Sequence, residues 1–242
     1  RPDRARISAL VDQVARLHRA GTEVILVSSG AVASGRSILG QRAGKLDSVS
    51  ARQLFSAVGQ VKLLNRYYDL FNEYGIVCGQ VLTTKESLST RRQYLNQRNC
   101  METMLANGVL PIVNENDTVS VAEFGIGDND TLSAIVATSV HADLLVLLSD
   151  IDGLYTADPH KNPDAARIEL VPEITEEILR LADGKGSELG TGGMKTKLTA
   201  AQIVTRAGTD MIIANGAEVE KLYALLDGRS IGTRFLGKKA DI

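Results

Sequence analysis

Five short apolar runs constrain the fold of this chain more than any other feature. They are EVILVS (Glu23 to Ser28), the run from Ile76 to Leu82, VLPIV (Val109 to Val113), DLLVLLSD (Asp143 to Asp150) and DMIIANG (Asp210 to Gly216). Runs this short and this rich in Val, Ile and Leu suit strands covered on both faces. Helical periodicity fills the intervals. Ile7, Leu10, Val11, Val14 and Leu17 form one stripe of a 3.6-residue repeat that Gly21 stops. A helix is expected after the SSGA turn (Ser28 to Ala31), and another from about Val49 to Tyr74, ended by Gly75. Further helices are expected at about Arg92 to Ala106, Thr131 to Val140, Thr175 to Ala182 and Leu198 to Ala207. Val119, Val121 and Phe124 suggest a small hairpin closed by GIGDND (Gly125 to Asp130). Strands alternating with helices predict an α/β fold, a three-layer αβα sandwich on a mostly parallel central sheet. No fixed-period repeat or low-complexity linker interrupts it, so a single domain over 1–242 is expected.

Composition narrows the function classes. Lys and Arg total 27 against 29 Asp and Glu, a net charge of −2, without the basic excess of a nucleic-acid binder. No apolar run reaches the length of a membrane span. Neither nucleic acid nor membrane is an expected partner. Cys78 and Cys100 sit in apolar contexts at no metal or redox spacing, so both are expected as buried free thiols in a reducing compartment, which points to the cytoplasm.

In parallel sheets ligands bind beyond the carboxyl ends of the strands. Four runs here end in SSG, NEND, SD and ANG, placing small and acidic groups where a ligand is expected. No G-x-G-x-x-G opens a helix, which argues against a dinucleotide-binding dehydrogenase, and no G-x-x-x-x-G-K-[ST] spacing supports a P-loop NTPase. His18, His141 and His160 stand apart from any nucleophile or carboxylate constellation. GTGGMKTK leads into a helix, and glycine backbone amides with a helix N-terminus suit phosphate oxygens. Lys197 would add a full positive charge on the first helical turn. By itself this segment is equally compatible with an ordinary loop before a helix. In GDND, Asp130 could cap the helix starting at Thr131, which leaves Asp128 and Asn129 unexplained. With NEND, this surplus of acceptors suggests a site that handles an amine or a metal-bound phosphate.

SSGAVASG, AVGQ (Ala57 to Gln60), NENDTV, GDNDTLSA, LSDIDGLYTADP and GTGGMKTK occur in the order and at the spacing of the glutamate 5-kinase branch of the amino acid kinase family, which the chain resembles over essentially its whole length. The resemblance implies a glutamate-binding part over roughly 1–140 and a nucleotide-binding part over roughly 141–242. It implies glutamate contacts at Ser29, Asp117 and Asn129, with Asn114 and Asp128 beside them expected to share the amino-acid contact. Ser149, Asp150 and the stretch Thr191, Gly192, Gly193, Met194, Lys195, Thr196 and Lys197 resemble nucleotide contacts. Lys197 resembles the lysine that stabilises the transferring phosphoryl group, and Asp130 the aspartate that orients catalytic lysines. The implied reaction moves the γ-phosphoryl of ATP, with Mg²⁺ bridging phosphates, to the γ-carboxylate of L-glutamate, opening proline biosynthesis. Proline is implied as feedback inhibitor, a homodimer or homotetramer as the assembly, and glutamyl phosphate reductase as recipient of the product. A family strand of the form V-V-K-x-G-[ST] has no match before the first helix, so it is expected in a preceding segment. A PUA domain carried by some members has no counterpart before Ile242. Two other readings remain open at this level: a non-catalytic ligand-sensing domain of the same fold, and the kinase half of a bifunctional pyrroline-5-carboxylate synthase.

Overall fold

The computed structural model describes residues 4–120, 128–159, 161–182, 193–226 and 228–238. The chain forms two compact units, Arg1–Asn129 and Asp130–Ile242.

The first unit contains α1 (Arg4–Arg19), β1 (Leu26–Val27), α2 (Ala31–Leu39), α3 (Ser48–Asn72), β2 (Cys78–Thr83), α4 (Lys85–Ser89), α5 (Arg91–Ala106) and β3 (Leu110–Glu115). Its sheet has the order β1-β3-β2 and is parallel throughout. The expected stripe of α1 buries Ile7, Val11 and Val14 against Leu63, Tyr67 and Phe71 of α3 and Leu110 and Ile112 of β3. The Asp47 carboxylate caps α3 by accepting from the amides of Val49 and Ser50 at 3.0 and 2.9 Å.

In the second unit, α6 (Asn129–Ser139, whose first residue closes the first unit), β4 (Leu144–Ser149), β5 (Leu154–Tyr155), β6 (Arg167–Ile168), β7 (Leu170–Val171), α7 (Glu176–Leu181), α8 (Met194–Arg206), β8 (Asp210–Asn215), α9 (Leu222–Leu226) and β9 (Thr233–Phe235) follow in order. Strands pair in the order β4-β8-β9-β7, with β8-β9 antiparallel and the other pairs parallel, and β5 pairs antiparallel with β6. The core gathers Leu147, Leu198, Val204, Met211, Ile213 and Phe235. The α/β class with mostly parallel sheets matches the expectation from sequence.

Long helices stop in one way throughout. After α1, the Gly21 amide bonds to the His18 carbonyl and the Thr22 amide to that of Leu17, and the same crossed pair recurs at Gly75, Gly108 and Gly208. Such a cap needs a left-handed residue. At the end of α6 that residue is His141, with φ of 52°, the one non-glycine at positive φ among the described residues. Its crossed pair is intact: His141 bonds to Thr138 and Ala142 to Ala137.

Several expectations needed tertiary correction. The strand read over Glu23 to Ser28 pairs only at Leu26 and Val27. The Val113 carbonyl receives the Ser28 amide, so odd-numbered residues of β3 face β1, and Pro111 among them has no N–H to give. Pairing therefore begins past Pro111. Cys78 is half-buried, and Cys100 is exposed rather than buried because α5 buries only Met101. Burial pushes the Cys78 thiol pKa up. β5, β6, β7, β9 and α4 were not foreseen, being too short to carry a period. Thr233 joins three of these strands: its hydroxyl accepts from the Leu154 amide at 2.8 Å and donates to the Ile168 carbonyl at 2.6 Å. The hairpin expected around Val121 and Phe124 and the loop residue His160 lie outside the described residues. No described helix is long and apolar enough to cross a membrane.

One contact sets the position of α3. A Cβ on Gly59 would stand 1.7 Å from the Ala31 carbonyl oxygen, and one on Gly35 would stand 1.8 Å from that of Phe55. The backbones of α2 and α3 touch, and neither obstruction is a side chain that could swing away. Gly59→Ala gains roughly 1 kcal/mol of helix propensity and meets a clash that overpacking costs put at about 1–3 kcal/mol or more. With backbone at 1.7 Å the clash dominates, and a net loss of about 2 kcal/mol or more is expected in urea unfolding. Conversely, His141→Gly should raise stability by about 0.5–1 kcal/mol, since a left-handed side-chain residue costs about 1–2 kcal/mol and the greater freedom of unfolded glycine returns part of it.

Candidate active site

In the first unit several of the residues singled out from the sequence lie at the polar ends of β1 and β3. Beyond β1, the Ser28 amide bonds to the Val113 carbonyl at 2.9 Å, and its hydroxyl lies 2.9 Å from that of Tyr67 in a buried pair. The Ser28 carbonyl accepts from Asn129 Nδ2 at 3.2 Å. Ser29 is exposed, and Gly30, with φ of 98°, turns the chain into α2. Burial raises the Tyr67 phenol pKa above its ordinary value, so the hydroxyl keeps its proton in the folded state.

The strand β3 extends two residues beyond the expected VLPIV into NEND, so Asn114 and Glu115 are strand residues. Asn114 Nδ2 donates to Gln60 Oε1 at 3.1 Å, while its Oδ1 accepts from the Glu115 amide at 2.9 Å. Asp117 Oδ1 receives both Nε (2.8 Å) and Nη2 (2.6 Å) of Arg52, and that Nη2 stands 3.7 Å from Glu115 Oε2. Both carboxylates are buried, at 7% and 6% exposure. A carboxylate pair so dry requires a cation and donors. Arg52 supplies the charge, and the Ser120 hydroxyl donates to Glu115 at 3.1 Å. Gln53 Nε2 fixes the following turn by donating to the Thr118 carbonyl at 3.0 Å.

The second unit holds the cationic group. Lys197, in the first turns of α8, is 5% exposed, and its Nζ lies 3.0 Å from Asp130 Oδ2. The Thr196 hydroxyl lies 2.8 Å from the same oxygen and 2.8 Å from the Gly193 carbonyl. Of the two places the sequence left open for Asp130, a helix cap or a partner of lysines, it takes the second. It sits inside the first turn of α6, which begins at Asn129, and its carboxylate serves Lys197. Burying this ammonium is tolerable because it is paired and hydrogen-bonded. At the ends of β4 and β8, the Gly216 amide bonds to the Ser149 carbonyl at 2.6 Å. Ser149 Oγ donates to Asp150 Oδ1 at 3.0 Å and leaves that carboxylate exposed.

The second unit thus presents a buried, paired lysine at the start of α8, and in the first unit the end of β3 carries amide and carboxylate groups. The sequence profile of the amino acid kinase family matches residues 1–215. The chain belongs to the amino acid kinase family. It is 52% identical over 236 residues to the glutamate 5-kinase of Bacteroides thetaiotaomicron, covering 97% of this chain and 65% of that protein. The glutamate 5-kinase of Deinococcus radiodurans is 48% identical over 233 residues, covering 96% and 64%. That of Clostridium acetobutylicum is 46% identical, and 87% of its length is covered. The chain thus spans a little under two thirds of the first two relatives. Among solved structures, carbamate kinase from Giardia lamblia bound to AMP-PNP superposes with a TM-score of 0.72 at 18% identity, over 97% of this chain and 90% of that one. The T. acidophilum isopentenyl phosphate kinase product complex gives 0.63 at 18%, over 96% and 90%. These two likenesses establish the fold.

Of the residues singled out from the sequence, Ser29, Asn114, Asp117, Asp128 and Asn129 fall in the first unit, and Asp130, Ser149, Asp150 and Gly193 to Lys197 in the second. Thr191 and Gly192 lie outside the described residues. The structure brings together Asp130, Thr196 and Lys197, and separately ties Asn129 to the Ser28 turn beside Ser29. Lys195 is exposed and Met194 half-buried. Sequence reasoning missed Arg52, Gln53, Gln60 and Tyr67, all on α3. One signal pointed there, the AVGQ segment, whose Gly59 admits α2 and whose Gln60 holds Asn114.

The Tyr67 shift sets an alkaline limit. Its folded pKa lies above the unfolded value of about 10, so its contribution to stability is complete below pH 10 and falls as pH rises past it, because the unfolded phenol ionises first. Urea midpoints between about pH 9 and 11 should fall less steeply for Tyr67→Phe than for the natural protein.

Proposed function

We propose that this chain transfers the γ-phosphoryl group of ATP to the γ-carboxylate of L-glutamate, forming glutamyl 5-phosphate at the entry to proline biosynthesis. The observation that carries the phosphotransfer reading is the buried Lys197 ammonium held by Asp130 at the start of α8. The acceptor assignment is supported by relatives named glutamate 5-kinase at about half identity.

The chemistry asks little of a base. A glutamate side chain, with a pKa of about 4.3, is an anion at neutral pH, so the nucleophile is ready and the obstacle is repulsion between two anions. Catalysis is then positioning and charge neutralisation. Lys197 offers its ammonium to the transferring phosphoryl group, and Asp130 and Thr196 keep that side chain from wandering. The amides opening α8 favour the phosphates. Ser149 and Asp150 contact the nucleotide. Ser29, Asn114, Asp117, Asp128 and Asn129 receive the amino acid, whose ammonium suits the acidic members. Magnesium, which usually binds through phosphates, waters and one or two carboxylates, would supply further neutralisation of the phosphate charge. Asp150 is an exposed oxygen donor of suitable chemistry for it.

The product is an acyl phosphate and labile, which favours handover to a glutamyl phosphate reductase. Proline as feedback inhibitor, a homodimer or homotetramer and a cytoplasmic setting belong to the same reading.

A coupled ADP-release assay on the full protein tests it, comparing glutamate with aspartate and acetylglutamate. ADP release should depend on glutamate. Lys197→Ala should lower kcat by about 100-fold or more, the usual loss when a transition-state charge partner is removed, with little change in glutamate KM. Asp117→Asn should raise the glutamate KM well before that of ATP. Near-normal turnover without Lys197 would remove it from the mechanism.

A further inference from the structure

Four of the residues that hold the acceptor side of the first unit come from one helix. Gln53, Gln60 and Tyr67 are spaced seven apart on α3, and seven residues are two turns less about 20°, so they form one gently drifting stripe. Arg52 adjoins its first member. Along this stripe Gln53 holds the Thr118 carbonyl, Gln60 holds Asn114 and Tyr67 holds Ser28, while Arg52 holds Asp117. The targets lie at the ends of β1 and β3 and in the turn that follows β3. Each target sits within the segments that the proposed function assigns to the amino acid.

We propose that α3 is the positioning element of the acceptor site, and that Arg52 and Gln60 set glutamate affinity by fixing Asp117 and Asn114 without touching the transferred group. The inference rests on the glutamate kinase reading. Arg52 acts in two ways. Its two donors meet a single oxygen of Asp117, which fixes the carboxylate's orientation. Its charge also offsets the buried Glu115 and Asp117, which would otherwise repel an incoming dicarboxylate. Gln60 acts in one way only, since its carbonyl oxygen accepts a hydrogen bond from the Asn114 amide and so decides which way that amide faces.

The test is steady-state kinetics on the full protein, with glutamate and ATP varied separately. Arg52→Gln and Gln60→Leu should each raise the glutamate KM about tenfold or more, leaving ATP KM and kcat within about twofold. Arg52→Lys, which keeps the charge but loses the fork, should recover part of the loss. A double-mutant cycle separates positioning from a general structural role. If Arg52 acts mainly through Asp117, adding Arg52→Gln to Asp117→Asn should raise the glutamate KM clearly less than Arg52→Gln does alone, the remainder being the uncompensated Glu115. Fully additive effects, unchanged glutamate KM in both single variants, or equal losses in kcat and both KM values would each overturn the inference while the kinase reading stands. A natural protein that turns over no glutamate would overturn both.

Discussion

Everything on the acceptor side depends on two helix backbones meeting with no side chain between them. At Gly35 and Gly59 no Cβ separates α2 from α3, and the carbonyls of Phe55 and Ala31 occupy the vacated space. A close-packed interior leaves such an approach little tolerance. With that distance set, Tyr67 and Phe71 stack in the first core with ring centroids 6.3 Å apart, and the polar edge of α3 comes within hydrogen-bond reach of the β1 and β3 ends. Tyr67 serves both ends at once. Its ring is core and its hydroxyl meets Ser28, the usual use of a buried tyrosine whose polar tip has found a partner.

The two units solve the problem of buried charge in the same way. Asp117 and Glu115 share Arg52 in the first, and Lys197 is met by Asp130 and Thr196 in the second. Apolar replacements of similar shape would often be as stable as a buried ion pair. Retaining charge in such places is therefore better explained by a polar ligand than by stability. The planar fork of arginine suits the carboxylate it must orient, whereas the compact ammonium of lysine suits a point charge offered to phosphate.

Much of the fold was readable along the chain. Strong signals lay in the apolar runs of β2, β3, β4 and β8 and in glycines 21, 75, 108 and 208, because strand burial and left-handed caps each select residue types locally. His141 carried no such signal: it fills a position where glycine would be the ordinary choice, and only the backbone around it reveals the cap. The two- and three-residue strands were invisible for a related reason, since pairing rather than side-chain period defines them. β1 shortened because of Pro111, a residue more than eighty positions away, whose missing N–H matters only once the two strands lie side by side.

For the candidate site the division is sharper. The motifs alone determined the residue types, NEND and GDND as clusters of acceptors and a glycine-led helix carrying Lys197. Their chemistry resides in side chains close together along the chain. Only the tertiary structure decided what holds them. Asp130, readable along the chain either as a cap or, by resemblance, as a partner of lysines, pairs with a lysine 67 positions away, and Arg52 with an aspartate 65 positions away. Local sequence determines which groups a turn can present. A salt bridge or hydrogen bond across such a separation exists only after helix packing has brought its two halves within about 3 Å of each other, and no local preference encodes that distance.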